Sequence, residues 1–326
     1  MKGRFVQSLF ALERKPRKGL FAFEWAVLAY LALTLAMIFF AWTKLANPEA
    51  MVMGRVRVAA AMALLWGAYR LLPCRLTAFA RVAAQMAFLS WWYPDTYELN
   101  RILPNLDHFF AAWEEAVFRC QPALIFHRLA PHPVFSELMD LGYASYFPMI
   151  AITVVFHFAA RPKDALRAAY VIMAAFFAYY VIYVFLPVTG PQYYYLAIGF
   201  DNARDGVFPA LGDYFNRHAE RAPNPGWPDG VFYQMVCAAH AAGERPTAAF
   251  PSSHVGISTV LMLLAARARS RGLFFAMLPL FALMCLSTVY IQAHYAIDVL
   301  AGLATGALFY LAFDAHYNHI LKKKGA

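Results

Sequence analysis

The side chains best placed for chemistry are two histidines and one aspartate in the C-terminal third of the chain: His254, His294 and Asp298. Each lies beside or within a long apolar run, where an ionisable group is costly and usually serves a function. His294 and Asp298 are four residues apart, so on a helix they share one face about one turn apart. The carboxylate can then hold one imidazole nitrogen and leave the other free as nucleophile or base. These residues indicate a histidine-based active site.

The run Phe-Pro-Ser-Ser-His ends at His254 and predicts the start of a helix. Proline and serine are favoured at helix N-termini, where backbone N–H groups and the helix dipole attract phosphate. The hydroxyls of Ser252 and Ser253 add further donors at the same end. We therefore assign both serines to substrate binding beside His254.

The elements that position these residues are predicted to be membrane helices. Of the 326 residues, 62% are hydrophobic and 14% are charged, against about 25% charged in soluble proteins. This composition excludes a disordered chain and a coiled-coil rod. The net charge of +9 fits basic ends of membrane spans better than a nucleic-acid partner, so no nucleic acid is expected.

Apolar runs of about 20 residues predict eight transmembrane helices in an all-α, polytopic bundle. Arg55 and Arg81 dilute the second and third runs, which leaves a partly interfacial position open for them. Between the third and fourth runs, residues 105–129 mix apolar positions with Glu114 and Glu115, which predicts an amphipathic helix lying on the membrane. The eight runs lie near residues 22–42, 56–72, 76–93, 134–158, 165–187, 251–269, 273–291 and 294–318.

The distribution of charge predicts the orientation. With a cytoplasmic N-terminus, 18 of the 28 basic residues but only four of the 19 acidic residues lie on the inner side, so both termini are expected in the cytoplasm. The long segment 188–250 is then an extracytoplasmic loop with a functional role. Within it, residues 231–242 read as a short helix that carries His240. His254 and His294 begin their spans at this same outer face, which places the active site there.

The chain divides at residue 133 on this interpretation. Residues 1–133 form the N-terminal spans and the interfacial helix, and residues 134–326 form the catalytic core, including the outer loop 188–250. Gly302 and Gly306 are spaced for close helix packing, which we expect within the monomer. The chain has no Asn-x-Ser/Thr acceptor, which is compatible with a bacterial inner membrane, the location that we expect.

The motifs resemble the type 2 phosphatidic acid phosphatase superfamily of membrane lipid phosphatases and phosphotransferases, over about residues 186–302. The resemblance implies that His294 attacks phosphorus to form a phosphohistidine, that Asp298 orients it, and that His254 protonates the leaving alkoxide. The matching residues are Pro251, Ser252 and His254 in the second signature, P-S-x-H, and Ser287, His294 and Asp298 in the third.

Two departures from the superfamily pattern refine this expectation. Thr288 stands where ordinary members have a phosphate-binding arginine, and the usual first signature is absent before the outer loop. Both features resemble the inositol phosphorylceramide synthase branch and, more distantly, sphingomyelin synthases. This likeness implies transfer of a phosphorylated head group from a glycerophospholipid to a ceramide-like acceptor. Losing a guanidinium costs less with a singly charged diester than with a monoester.

Three points stay open from the sequence. A lipid phosphatase, with water as acceptor and a monoester substrate, uses the same catalytic residues. A transporter or structural protein is disfavoured, because ionisable groups in spans are costly. The replacement for the missing arginine is sought among Arg245, Gln192 and Tyr193, with Thr288 as a further substrate contact. The chemistry requires no metal or cofactor, since donors at the helix end can stabilise the phosphoryl group.

Overall fold

The computed structural model describes the backbone of residues 9–325 and the side chains of residues 9–322. Helices make up most of this part of the chain, so the predicted all-α fold is confirmed. In chain order the helices are α1 (Ala22–Ala41), α2 (Pro48–Leu71), α3 (Arg75–Asn100), α4 (Asp107–Phe118), α5 (Pro122–Leu129), α6 (Pro133–Ala144), α7 (Tyr146–Ala160), α8 (Ala165–Phe185), α9 (Pro191–Ile198), α10 (Phe200–Arg204), α11 (Val231–Ala241), α12 (Ser253–Arg267), α13 (Arg271–Tyr290) and α14 (Ala296–Gly325).

Helices occupy all eight positions predicted for spans. Five of them, α1, α2, α8, α13 and α14, are long and apolar enough to cross a membrane. The fourth predicted span is two helices, α6 and α7, which together form a further stretch of this kind bent by 47°. The third, α3, contains several charged side chains, and the sixth, α12, is apolar but only 15 residues long. The protein is a polytopic helical membrane protein.

Ion pairs explain how arginines are accommodated in α2 and α3. Arg55 of α2 donates to both carboxylate oxygens of Asp95 in α3, at 3.0 and 2.7 Å. Arg81 of α3 pairs with Glu24 of α1, with Nε 2.7 Å from Oε1. All four side chains are buried. Paired in this way, a buried charge keeps its hydrogen bonds at a tolerable cost.

Two packing features position α12 and α14, the helices that carry His254 and Asp298. Nearly all of α8 is buried, with α1, α3, α12 and α14 around it. Helices α12 and α14 approach so closely that a Cβ on Gly306 would lie 2.4 Å from the Gly256 carbonyl oxygen. A Cβ on Gly302 would lie 2.6 Å from the Ser252 carbonyl oxygen. The expected small-residue packing within the monomer is confirmed.

The interfacial segment differs from the single amphipathic helix that we expected. It forms two helices, α4 and α5, separated at Arg119, whose φ of +57° is left-handed. Pro122 opens α5 and disfavours helix at the residue before it. Glu114, expected on the polar face, is fully buried. In the outer loop, the predicted short helix bearing His240 is confirmed as α11.

Candidate active site

Hydrogen bonds to α14 and to Tyr183 of α8 hold the turn that carries His254. Ser252 caps α12 by accepting from the Val255 N–H at 3.4 Å, and its own N–H donates to the Asp298 carbonyl oxygen at 3.1 Å. The Tyr183 hydroxyl donates to the Pro251 carbonyl at 2.8 Å and accepts from the Ser253 N–H at 3.0 Å. Ser252 is therefore buried as a helix cap, while Ser253 stays partly exposed next to His254.

His294 lies in the turn between α13 and α14, so it does not share a helix face with Asp298 as the spacing suggested. Its N–H donates to the Thr288 carbonyl at 3.0 Å. Asp298, in the first turn of α14, accepts from the Tyr295 N–H at 2.9 Å. The two side chains meet because this capping contact folds the turn back over the helix start.

The hydrogen bonds of the His294 ring define its protonation. Nδ1 lies 2.8 Å from the Ala249 carbonyl oxygen and 3.4 Å from Oδ2 of Asp298. A carbonyl oxygen only accepts, so Nδ1 carries the proton and Nε2 presents a lone pair. Burial lowers the pKa of His294 to about 4, opposed by the Ala249 hydrogen bond and the charge of Glu244. Neutral at pH 7, the imidazole is a competent nucleophile.

His254 faces that lone pair. Its Nδ1 is 3.4 Å from Nε2 of His294. The His254 ring stacks on Tyr143, with centroids 4.6 Å apart, and contacts Tyr146 at 4.4 Å. The aromatic pair holds a partly exposed imidazole against the buried one. The structure thus brings together the three residues that the motifs singled out.

The remaining residues predicted to contact the substrate differ in burial and in their contact with the turn that carries His294. Gln192 and Tyr193 are buried at the start of α9, and the Gln192 N–H donates to the Gln292 carbonyl at 2.9 Å, two residues before His294. Thr288 is buried, and its hydroxyl donates to the Cys285 carbonyl of its own helix at 3.3 Å. Arg245 is exposed. Gln192 and Thr288 therefore both contact the turn that carries His294, each through a backbone atom.

A polar cluster of Arg221, His240 and Glu244 surrounds Gln192, and sequence reasoning missed Arg221 and Glu244. Gln192 donates through Nε2 to Oε1 of Glu244 at 3.0 Å. Arg221 lies 3.8 Å from Oε2 of Glu244 and donates to Nδ1 of His240. Burial raises the pKa of Glu244, and Arg221 opposes the shift; burial lowers the pKa of His240 to about 3. Only the position of these residues in the outer loop signalled them.

Two buried carboxylates from the interfacial segment support the catalytic turn, and both were missed as well. Glu114 accepts from the Ala296 and Ile297 N–H groups, each at 3.0 Å, and so caps α14. Asp107 accepts from the Tyr295 hydroxyl at 3.0 Å and from the Gly190 N–H at 2.8 Å. Burial raises the pKa of Glu114 to about 7. These contacts tie α4 to both sides of the site.

The close approach of two loops explains one glycine. Gly190 has a φ of +91°, which L-residues rarely adopt, and a Cβ there would lie 2.5 Å from the Ala293 carbonyl oxygen. The α9 start therefore packs directly on the turn that carries His294. Among residues 9–325, no group of three or more His, Cys, Asp or Glu side chains is arranged to hold a metal ion.

Comparison with known families agrees with the geometry. Residues 108–312 match the PAP2 superfamily, that of the type 2 phosphatidic acid phosphatases, so the chain belongs to this superfamily. Its members are phosphatases and phosphotransferases, and the protein is accordingly an enzyme of this type acting on lipid phosphates. No curated protein and no solved structure matches the chain.

Proposed function

We propose that this enzyme transfers a phosphorylated head group from a glycerophospholipid to a second lipid, through a covalent adduct on His294. The observation that carries the proposal is the Nε2 lone pair of His294, which is fixed by the Ala249 carbonyl behind the ring and faces His254 in front of it. A buried, neutral and oriented imidazole of this kind is an activated nucleophile.

In the first half-reaction, Nε2 of His294 attacks phosphorus and the bond from phosphorus to the diacylglycerol oxygen breaks. His254, whose protonated form is stabilised by the negative charge of the bound phosphate, gives its proton to the leaving alkoxide. Asp298 stabilises the positive charge that develops on the His294 ring. The head group with its phosphate remains on His294.

In the second half-reaction, an acceptor hydroxyl attacks the same phosphorus and gives its proton to His254. The bond from phosphorus to Nε2 breaks, which restores neutral His294. A ceramide-like alcohol completes the transfer, whereas water completes a hydrolysis. Thr288 in place of an arginine, together with the likeness to inositol phosphorylceramide synthases, supports a singly charged diester donor and a lipid acceptor.

One experiment tests the reaction. Purified protein is incubated with labelled phospholipids, with and without ceramide, and free phosphate is separated from new phospholipid. We expect ceramide-dependent formation of a new phospholipid with release of diacylglycerol. Release of inorganic phosphate from phosphatidic acid, at a kcat/KM above that for any diester, would instead establish a phosphatase.

We further propose that both termini are cytoplasmic and that the site opens at the extracytoplasmic face of a bacterial inner membrane. The excess of basic residues on the assigned inner side supports this orientation. Single cysteines in residues 201–228, in a cysteine-free background, should react in intact cells with an impermeant maleimide, whereas a cysteine at Ser270 should not. Equal labelling at both positions contradicts this orientation.

A further inference from the structure

The polar cluster of Gln192, Arg221, His240 and Glu244 has more hydrogen-bonding capacity than its own contacts use. Oε1 of Gln192 is buried without a hydrogen-bond partner, while Nε2 of His240 and Oε2 of Glu244 face each other at 3.3 Å without good hydrogen-bond geometry. Gln192 and His240 are 2% and 6% exposed. Buried polar atoms in native proteins are nearly always paired, so the open oxygen of Gln192, beside a His240–Glu244 contact of incomplete geometry, points to a ligand.

The open atoms have defined chemical characters. Arg221 donates to Nδ1 of His240, so the proton of that neutral ring is on Nε2, which is a donor. The free oxygen of Gln192 is an acceptor, and Oε2 of Glu244, which is 3.3 Å from Nε2 of His240, belongs to a carboxyl group that can accept a further donor. The guanidinium of Arg221 is 3.8 Å from that carboxyl, too long for a hydrogen bond, and remains able to bind an anion.

The cluster adjoins the two catalytic histidines. The ring of Tyr143 contacts His240 at 5.5 Å on one side and His254 at 4.6 Å on the other. The Gln192 backbone bonds to the turn of His294, and Glu244 acts electrostatically on His294 itself. A phosphate attacked by His294 therefore has its substituents within reach of the cluster.

We propose that Arg221, Gln192 and Glu244 form the head-group subsite of the donor lipid. Arg221 binds a phosphoryl oxygen and so supplies the cation that Thr288 does not. Glu244 and Gln192 accept from hydrogen-bond donors of the head group, either hydroxyls or an ammonium. This inference rests on the proposed transfer reaction and adds a selection rule: a head group without donors, such as choline, is a poor fit because it leaves the buried Gln192 oxygen unpaired and gives Glu244 no further donor.

Binding tests the rule without turnover. His294→Ala protein is titrated calorimetrically with dihexanoyl phosphatidylglycerol, phosphatidylethanolamine and phosphatidylcholine, which carry hydroxyl donors, ammonium donors and no donors. We expect at least one donor-bearing lipid to bind about tenfold or more tightly than phosphatidylcholine. The tighter of the two identifies hydroxyl or ammonium as the partner. Equal affinity for all three overturns the proposal.

Variants assign the effect to residues. Glu244→Gln should lose most of the preference, while Glu220→Gln, at an exposed carboxylate of the same loop, should keep it. Arg221→Gln should weaken binding of all three lipids alike by about tenfold, while Arg217→Gln, at an exposed arginine of the same loop, should not. Gln192→Met removes the second acceptor and gives an independent measurement if Glu244→Gln misfolds.

The outcomes separate this proposal from the reaction. An unchanged preference in folded Glu244→Gln and Gln192→Met proteins overturns the subsite and leaves the histidine mechanism untouched. Conversely, catalytic turnover that survives His294→Ala refutes the mechanism. The binding preference, and its loss in the variants, tests the subsite independently of that result.

Discussion

Buried carboxylates behave differently in the N-terminal helices and in the catalytic region. In α1 and α3, both oxygens of Glu24 and both oxygens of Asp95 accept hydrogen bonds. Near His294, Oδ1 of Asp298 is buried without a hydrogen-bond partner. Oε2 of Glu244 has only the contacts of His240 at 3.3 Å and Arg221 at 3.8 Å, neither with good hydrogen-bond geometry. A saturated carboxylate stabilises a fold, whereas an unsaturated one is held ready for a group that the fold does not supply. We infer from this difference that Glu24 and Asp95 hold the fold, whereas Asp298 and Glu244 act on the substrate.

The largest effect on turnover is expected from removing the imidazoles of His294 and His254. His294→Ala and His254→Ala should each lower kcat by about a thousandfold or more, because each role in the two-step mechanism is unique. The matched control is His319→Ala, at an exposed histidine of α14, which should retain wild-type turnover. Residual activity within tenfold of wild type in either folded catalytic variant would refute the assignment.

Asp298→Asn should reduce kcat by about a hundredfold with little change in KM. The amide of the introduced asparagine cannot stabilise an imidazolium, so kcat should fall. The Ala249 carbonyl still fixes the tautomer of His294, so the fall should be smaller than in a catalytic triad whose histidine tautomer depends on the aspartate alone. Steady-state kinetics with a short-chain lipid measure the effect. A change confined to KM would make Asp298 a binding residue.

Glu114→Ala should lower turnover several-fold and destabilise the fold by about 1–3 kcal/mol, because two buried N–H groups at the start of α14 lose their acceptors. Burial raises the pKa of Glu114 to about 7 from 4.5. The stability that its protonated form contributes is present below pH 4.5 and is lost as pH rises through 7. The difference in Tm between wild type and variant should therefore narrow between pH 5 and 8. A constant difference would contradict the shifted pKa.

The smallest expected effect on catalysis comes from a carboxylate of the N-terminal helices, Asp95. Asp95→Asn breaks the saturated pair with Arg55, so the Tm should fall while kcat per folded molecule stays within about twofold of wild type. Thermal unfolding and active-site titration separate the two quantities. A loss of kcat comparable to that of Asp298→Asn would show that the N-terminal pair is not merely structural.

The sequence predicted the features that depend on local order. Helices at the eight positions, the short helix with His240 and the packing at Gly302 follow from hydrophobic runs and residue size. Pro122 was an available signal for the break between α4 and α5. By contrast, the contact of Glu114 with α14 joins residues 182 apart in the chain, and Arg221 reaches the site only through the folded outer loop. Such contacts leave no local pattern in one sequence.

In the proposed mechanism, the distance of 3.4 Å between Nδ1 of His254 and Nε2 of His294 has a consequence for substrate binding. An in-line transfer needs an attack distance of about 3 Å and a hydrogen bond of about 3 Å to the leaving oxygen, so the two nitrogens must stand about 6 Å apart or more during reaction. At the observed distance, a phosphoryl group does not fit between the two imidazole rings. The proposed mechanism therefore requires part of the binding energy of the lipid to separate His254 from His294, and we expect a fragment too small to do so to be a poor substrate.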